Sequence, residues 1–224
     1  WIMEQQCGHI NWAQFNPGVR PGTPRLWTWH AIAEGADTII YFRWRATLFA
    51  QEQYHSGLLR HDATPDVGYH DHLKFQADRA LLDDITHQPI TAPVGILFDF
   101  ADLWALQLQP HRQDFGYLRL LYVYYTTLQR LGIPVNLVPK TADFTPYPLL
   151  IAPTAHLVEA PLASKLNDYT QNGGTLLLGV RSGFKTTSNL VTDEPLPGAL
   201  RKLVGATVTG WQALPPNVGW ELET

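Results

Sequence analysis

Before Pro93 the chain carries two short apolar runs, and each is followed by a long loop rich in polar residues. That pattern restricts the possible folds more than any other feature. The first run is the stub Trp1-Ile2-Met3, which turns polar at Glu4-Gln5-Gln6 and reads as the end of a strand whose beginning lies upstream. The second, Thr38-Ile39-Ile40-Tyr41-Phe42, is β-branched and aromatic and reads as a buried strand. Between them, Cys7 to Thr23 is rich in Gly, Pro and Asn, and Arg25 to Gly35 reads as a helix with Pro24 in its first turn and Gly35 as its stop. A second loop runs from Ala46 to Pro65. Asp66 to His87 then has helical spacing, with Leu73, Ala77, Ala80 and Leu81 three or four apart. Long loops after the strands of a parallel βα barrel lie at its C-terminal face, where such barrels hold their active sites. Two βα units cannot close a barrel of eight strands, so residues 1–88 are expected to be the last two units of a (β/α)8 TIM barrel, in a fragment or a processed chain.

From Pro93 the rhythm changes. Strands are expected at Val94–Asp99, Val135–Val138, Leu149–Ala152 and Thr175–Leu178, with helices over Phe115–Leu131 and Pro161–Gln171. Short strands alternating with helices indicate an α/β domain of the doubly wound, flavodoxin-like kind over residues 93–224. His87 to Pro93 is the expected linker, and the tail from Val191 has no clear period.

Glu4 is the first candidate for chemistry. A carboxylate at a strand end in this fold points into the barrel mouth. Gln5, Gln6, Asn11 and Trp12 follow it, and polar donors beside a flat aromatic wall suit a sugar ring. The same residue types also suit a capped, solvent-exposed loop. Glu52 and His55 stand three apart after the second strand. Glu-x-x-His occurs in di-iron bundles, but those need two copies and two further Glu-bearing helices. One copy in a loop favours a clamp on neighbouring sugar hydroxyls, or a solvated loop, over a metal. His70-Asp71-His72 places its two imidazoles on different sides of a helix. No metal site is expected.

Gly179-Val180-Arg181-Ser182-Gly183-Phe184-Lys185-Thr186 nearly matches a phosphate loop, but Phe184 separates the glycine from the lysine. Nor is it a nucleophile elbow, since Ser182 stands one position late. Asp99, Trp104, His111 and Arg112 are read as loop residues for surface or interface contact. Cys7 is the single cysteine, so no internal disulfide can form and amidotransferase chemistry in the second domain is excluded. With 45% hydrophobic residues a core can be buried, and a net charge of −4 without a basic run speaks against nucleic acid. No apolar run has membrane-span length, and a cytoplasmic location is expected.

Met3-Glu4-Gln5-Gln6, Asn11-Trp12-Ala13, Asn16-Pro17, Arg25-Leu26-Trp27, Tyr41-Phe42-Arg43-Trp44-Arg45 and Ala50-Gln51-Glu52-Gln53-Tyr54-His55-Ser56-Gly57-Leu58-Leu59 occur in that order. Together they resemble the end of the barrel in the family 42 glycoside hydrolases, retaining β-galactosidases. Phe98-Asp99 and Arg181-Ser182-Gly183 resemble that family's trimerisation domain. The resemblance covers nearly the whole chain. It implies that Glu4 is the catalytic nucleophile, that Trp12, Glu52 and His55 line the galactose subsite, and that no cofactor is needed. It also implies a β-galactoside substrate and a homotrimer formed through residues 93–224. Cys7 stands where the family usually has Pro. The family's acid/base Glu follows an Asn, and no Asn-Glu pair occurs here. Arg43 or Arg45 is expected to keep Glu4 charged. The chain is thus expected to be the C-terminal part of a β-galactosidase, or else a non-catalytic sugar-binding or assembly fragment, inactive without the upstream barrel. A different hydrolase on the same architecture is the third reading.

Overall fold

A computed structural model describes residues 1–82, 90–215 and 218–219. The chain forms two compact units, Trp1–Ile90 and Thr91–Thr224.

In the first unit β1 (Ile2–Gln6) pairs in parallel with β2 (Ile39–Phe42). Two parallel strands require a crossover, and α1 (Thr23–Ala33) supplies it. Gly22 precedes α1 with φ +94, a left-handed conformation that glycine adopts without strain, and Pro24 occupies the first turn. After the second loop comes α2 (Val67–Asp78), continued by a 3₁₀ turn at Arg79–Leu82. The predicted helix over Asp66–His87 therefore tightens after Asp78, and its last residues, like most of the predicted linker, lie outside the described residues. The two helices are tied by specific contacts. Asp71 of α2, almost fully buried, accepts from the Gly22 N–H at 2.7 Å. Arg25 Nε donates to Asp78 Oδ2 at 2.8 Å, and Trp29 meets Phe75 edge-on at 5.4 Å between centroids.

The second unit is a four-stranded, all-parallel sheet in the order β4-β3-β5-β6, formed by β3 (Val94–Leu97), β4 (Val135–Val138), β5 (Leu149–Ala152) and β6 (Thr175–Leu178). The alternation of side chains along each strand builds a separate core on each face. Val94, Ile96 and Ile151 point to α4 (Tyr117–Arg130), whose Leu121, Tyr124, Tyr125 and Leu128 cover them. Leu97, Leu150 and Ala152 point the other way, to Leu166 and Tyr169 of α5 (Ala160–Gln171). Gly95 lies on that second face, where a Cβ would stand 3.0–3.1 Å from Val138, Leu150 and Tyr147 side chains. This is the doubly wound α/β arrangement anticipated from the sequence.

Two parts of the second unit depart from the reading of the sequence. The stretch after β3 is not a loop: Phe100–Leu108 forms a helix, α3, started by the Asp99 carboxylate, which accepts from Ala101 N at 2.8 Å and Asp102 N at 3.2 Å. The unassigned tail contributes a 3₁₀ turn at Gly198–Leu200 and a short helix, α6 (Arg201–Val204). Leu200 is fully buried in the core beside α5.

A buried ion pair joins the loops at the sheet's carboxyl end. Asp102 Oδ1 accepts from Lys140 Nζ at 2.7 Å and from Leu157 N at 2.8 Å, and Lys140 also donates to the Leu157 carbonyl at 2.9 Å. Burial pushes the Asp102 carboxyl above the usual range, and Lys140 and the Leu157 amide pull it back.

Candidate active site

The candidate residues of the first unit come from β1 itself and from the loops following β1 and β2. Because these strands are parallel, both loops leave from the same end of the pair. Glu4 is not at a strand terminus, since β1 runs two residues further to Gln6. Instead the register slips there: Ile2 faces Ile39 while Gln5 faces Tyr41, so three steps on β1 match two on β2. Met3 and Glu4 therefore sit on a bulge, a device that re-aims side chains next to active sites. Glu4 is exposed, and among the described residues its carboxylate has no hydrogen-bond or ion-pair partner.

The second loop folds around a carboxylate, an imidazole and a guanidinium. Arg43 Nη2 pairs closely with Glu52 Oε2, and His55 Nδ1 lies 3.9 Å from the same oxygen. His55 is only 6% exposed, and its Nε2 has no partner among the described residues. Trp12, from the loop after β1, meets the His55 ring edge-on at 4.8 Å between centroids while remaining largely exposed. Trp12, Glu52, His55 and Arg43 thus form one cluster.

Backbone contacts lock the cluster. Ser56 N and Oγ both donate to the His9 carbonyl, at 3.1 and 3.0 Å. Leu58 N donates to the Arg43 carbonyl at 2.7 Å. Gly57 allows this approach, because a Cβ there would stand 2.7 Å from Ala46 N and 3.0 Å from the Arg43 carbonyl oxygen. The Cys7 thiol also reaches the Arg43 carbonyl, at 3.7 Å, and burial pushes its pKa up to about 12, which keeps it protonated and unreactive. Beside the cluster lies an open depression of about 480 Å³, bordered by His9, Val19, His55, Ser56, Arg60 and His61.

The arginines do not serve Glu4. Arg43 is committed to Glu52, and Arg45 Nε donates to the His61 carbonyl at 3.1 Å. The Arg43–Glu52 partnership spans nine positions across an irregular loop, and no periodicity in the sequence announces it. The His70-Asp71-His72 run is dispersed: His70 stands against Tyr69, Asp71 is bonded to Gly22, and His72 meets Tyr41 edge-on.

In the second unit the near-miss phosphate loop is closed on itself. Lys185, 5% exposed, donates to Gln109 Oε1 at 2.7 Å and to Asn189 Oδ1 at 2.9 Å. Ser182 Oγ bridges the Gly179 carbonyl and the Ala155 amide. A Cβ on Gly183 would stand 2.2 Å from the Pro197 carbonyl oxygen. His156 is fully buried and donates from Nδ1 to the Arg181 carbonyl at 3.0 Å, so Nδ1 carries the proton. Burial pushes its pKa down to about 4. Arg112 donates to Asp114 and to the Leu214 carbonyl. Among the aromatics of α3 and α4, Tyr117 is buried and Tyr124 and Tyr125 pack half-buried against the core, whereas Trp104 and Tyr122 are exposed.

A parallel βα pair joined to a doubly wound domain, with a loop cluster of carboxylate, imidazole, guanidinium and indole on the pair, narrows the chain to a class of multidomain barrel proteins. Comparison with known proteins gives the family. Residues 1–81 match the family model described as beta-galactosidase, and residues 92–223 match the beta-galactosidase trimerisation domain. The chain belongs to glycoside hydrolase family 42. It is 44% identical over 215 residues to the beta-galactosidase Bga of Halorubrum lacusprofundi, covering 96% of this chain and 30% of that protein. It is 39% identical over 219 residues to the beta-galactosidase BgaA of a Thermus species, covering 97% of this chain and 33% of the relative. The solved beta-galactosidase of the Antarctic haloarchaeon Halorubrum lacusprofundi superposes with a TM-score of 0.89 at 43% identity, over 97% of this chain and 32% of that one. The enzyme of the psychrophile Marinomonas ef1 follows with 0.87 at 37% identity, over 97% and 34%. The chain spans about a third of the length of the relatives it matches. Among the described residues no helix is long and apolar enough to cross a membrane.

Proposed function

We propose that this chain forms the C-terminal part of a retaining β-galactosidase, with Glu4 as nucleophile and Trp12, Glu52 and His55 as the walls of the galactose subsite. The observation that carries this reading is the convergence of a carboxylate, an imidazole and an indole, drawn from two loops that leave the same end of a parallel strand pair. Hydrogen-bonding groups beside an aromatic face are what sugar recognition requires. Family membership over the whole chain supports the same substrate class.

In the reaction, one Glu4 oxygen attacks the anomeric carbon as the bond to the leaving oxygen breaks, giving a galactosyl ester. A carboxylic acid from outside this chain protonates the leaving oxygen and then takes a proton from the water that cleaves the ester. Retaining enzymes hold two such carboxyls about 5–5.5 Å apart. The bulge at Met3–Glu4 takes the nucleophile of this reading out of the regular strand register. Residues 1–88 constitute the barrel portion, and residues 93–224 hold three copies of the protein together without chemistry of their own.

The test is covalent trapping. A 2-fluoro-galactoside should label Glu4 in the full-length protein, and Glu4→Gln should lower kcat by about a thousandfold or more while substrate still binds. A label on another carboxylate would remove Glu4 from the mechanism. Sedimentation should give a trimer that dissociates when residues 93–224 are deleted.

A further inference from the structure

Arg43 has no role in the chemistry described so far, yet it is placed with unusual constraint. It follows β2 directly. Its carbonyl is held by Leu58 N and the Cys7 thiol, so the backbone cannot swing. Its guanidinium carbon lies 4.3 Å from the centroid of the Phe42 ring, and its side chain is 23% exposed. From that stacked position Nη2 grips Glu52 Oε2, the same oxygen that faces His55 Nδ1. Glu52 Oε1 receives no hydrogen bond from any described residue. The carboxylate is therefore anchored by one oxygen and presents the other.

We infer that Arg43 is a positioning residue for sugar recognition: it fixes the rotamer of Glu52 so that Oε1 is aimed at a substrate hydroxyl. This inference rests on the reading of Glu52 as a sugar contact. The chemistry favours arginine for the task. A guanidinium has donors only, so it cannot compete with the carboxylate for the hydroxyl proton, and its planar fork is set by stacking on an aromatic face. A glutamate on an irregular loop would otherwise sample several rotamers, and substrate binding would have to freeze them. Lysine would retain the charge but lose the fork and the stack.

A double-mutant cycle in the full-length protein, read with an aryl β-galactoside, tests this. Arg43→Met should lower kcat/KM about ten- to a hundredfold, as expected for losing one charge-assisted alignment. The loss should fall mainly on KM, and Arg43→Lys should recover part of it. Glu52→Gln should cost at least as much alone. The double variant Arg43→Met/Glu52→Gln should be no worse than Glu52→Gln, because Arg43 acts only through that carboxylate. Should Arg43→Met fail to fold, Arg43→Lys against Glu52→Gln gives the same cycle. Wild-type kinetics in Arg43→Met, or a double variant showing the full product of both losses, would overturn the role of Arg43 while leaving Glu52 as a sugar contact. If Glu52→Gln itself leaves kcat/KM unchanged, the sugar-contact reading falls and the role of Arg43 with it.

Discussion

The two units of this chain solve the problem of buried polar groups in opposite ways. Five buried side-chain polar atoms lack a hydrogen-bond partner among the described residues, and four of them belong to the first unit: Arg43 Nε, His55 Nε2, Asp71 Oδ1 and His72 Nδ1. The second unit has one, His156 Nε2. Apolar packing divides the other way. Among the described residues, the three clusters of buried hydrophobic residues lie in the second unit, on the two faces of its sheet and beneath α3. Among the described residues the first unit has a two-stranded sheet. A buried donor or acceptor without a partner carries a desolvation cost that structure or ligand must offset. The contrast teaches that one unit is organised to receive something, while the other is organised to close on itself.

The harshest way to break this contrast is to separate the units. Residues 91–224 alone should unfold in a single cooperative urea transition. Residues 1–90 alone should show none, because two strands and two helices bury too little to offset chain entropy. A cooperative transition in residues 1–90 would mean that this unit is self-sufficient after all.

Within the second unit the largest single loss should come from Lys140→Met, which strands the buried Asp102 carboxylate. A destabilisation of about 3–5 kcal/mol is expected from urea melts. Adding Asp102→Asn should recover part of that loss, since the uncompensated charge disappears.

A smaller effect should follow from pH. His156 is held neutral in the fold, with its pKa at about 4, whereas the unfolded chain takes up the proton near the ordinary 6.5. The folded state therefore binds fewer protons between those values. Its stability is complete above the upper value and is lost as pH falls toward the lower one. The loss should approach about 3 kcal/mol at pH 4, and His156→Gln should flatten that part of the profile.

Most of the architecture was legible in the sequence because period and punctuation agreed: β-branched runs marked the strands, and Gly35, Gly132 and Gly173, all with positive φ, marked where helices stop. The missed helix α3 is apolar nearly all round, with Phe100, Leu103, Trp104, Leu106 and Leu108, so no polar face revealed its period; Asp99 was the one available signal. The α4 tyrosines need the helical wheel to be sorted. Counting aromatics ignores the wheel, whereas Leu121, Tyr124, Tyr125 and Leu128 follow the three-four spacing of a buried face and Tyr122 does not. At the site, residue types could be read from motifs, but the bulge at Glu4 depends on register with another strand, and the Arg43–Glu52 pair depends on loop closure. Neither is a local property of sequence.

The Asp102–Leu157 hydrogen bond has a mechanical meaning. In the strand order β4-β3-β5-β6 the chain reverses its winding between β3 and β5, so the two halves of the sheet carry different sets of helices and meet at a natural seam. Asp102 rides on α3, on one side of that seam, and Leu157 follows β5, on the other; Lys140 clamps both. Doubly wound proteins commonly open at this seam to admit a ligand. Here the seam is bridged by a buried ion pair and its hydrogen bonds, so a force applied to one half of the sheet is passed to the other.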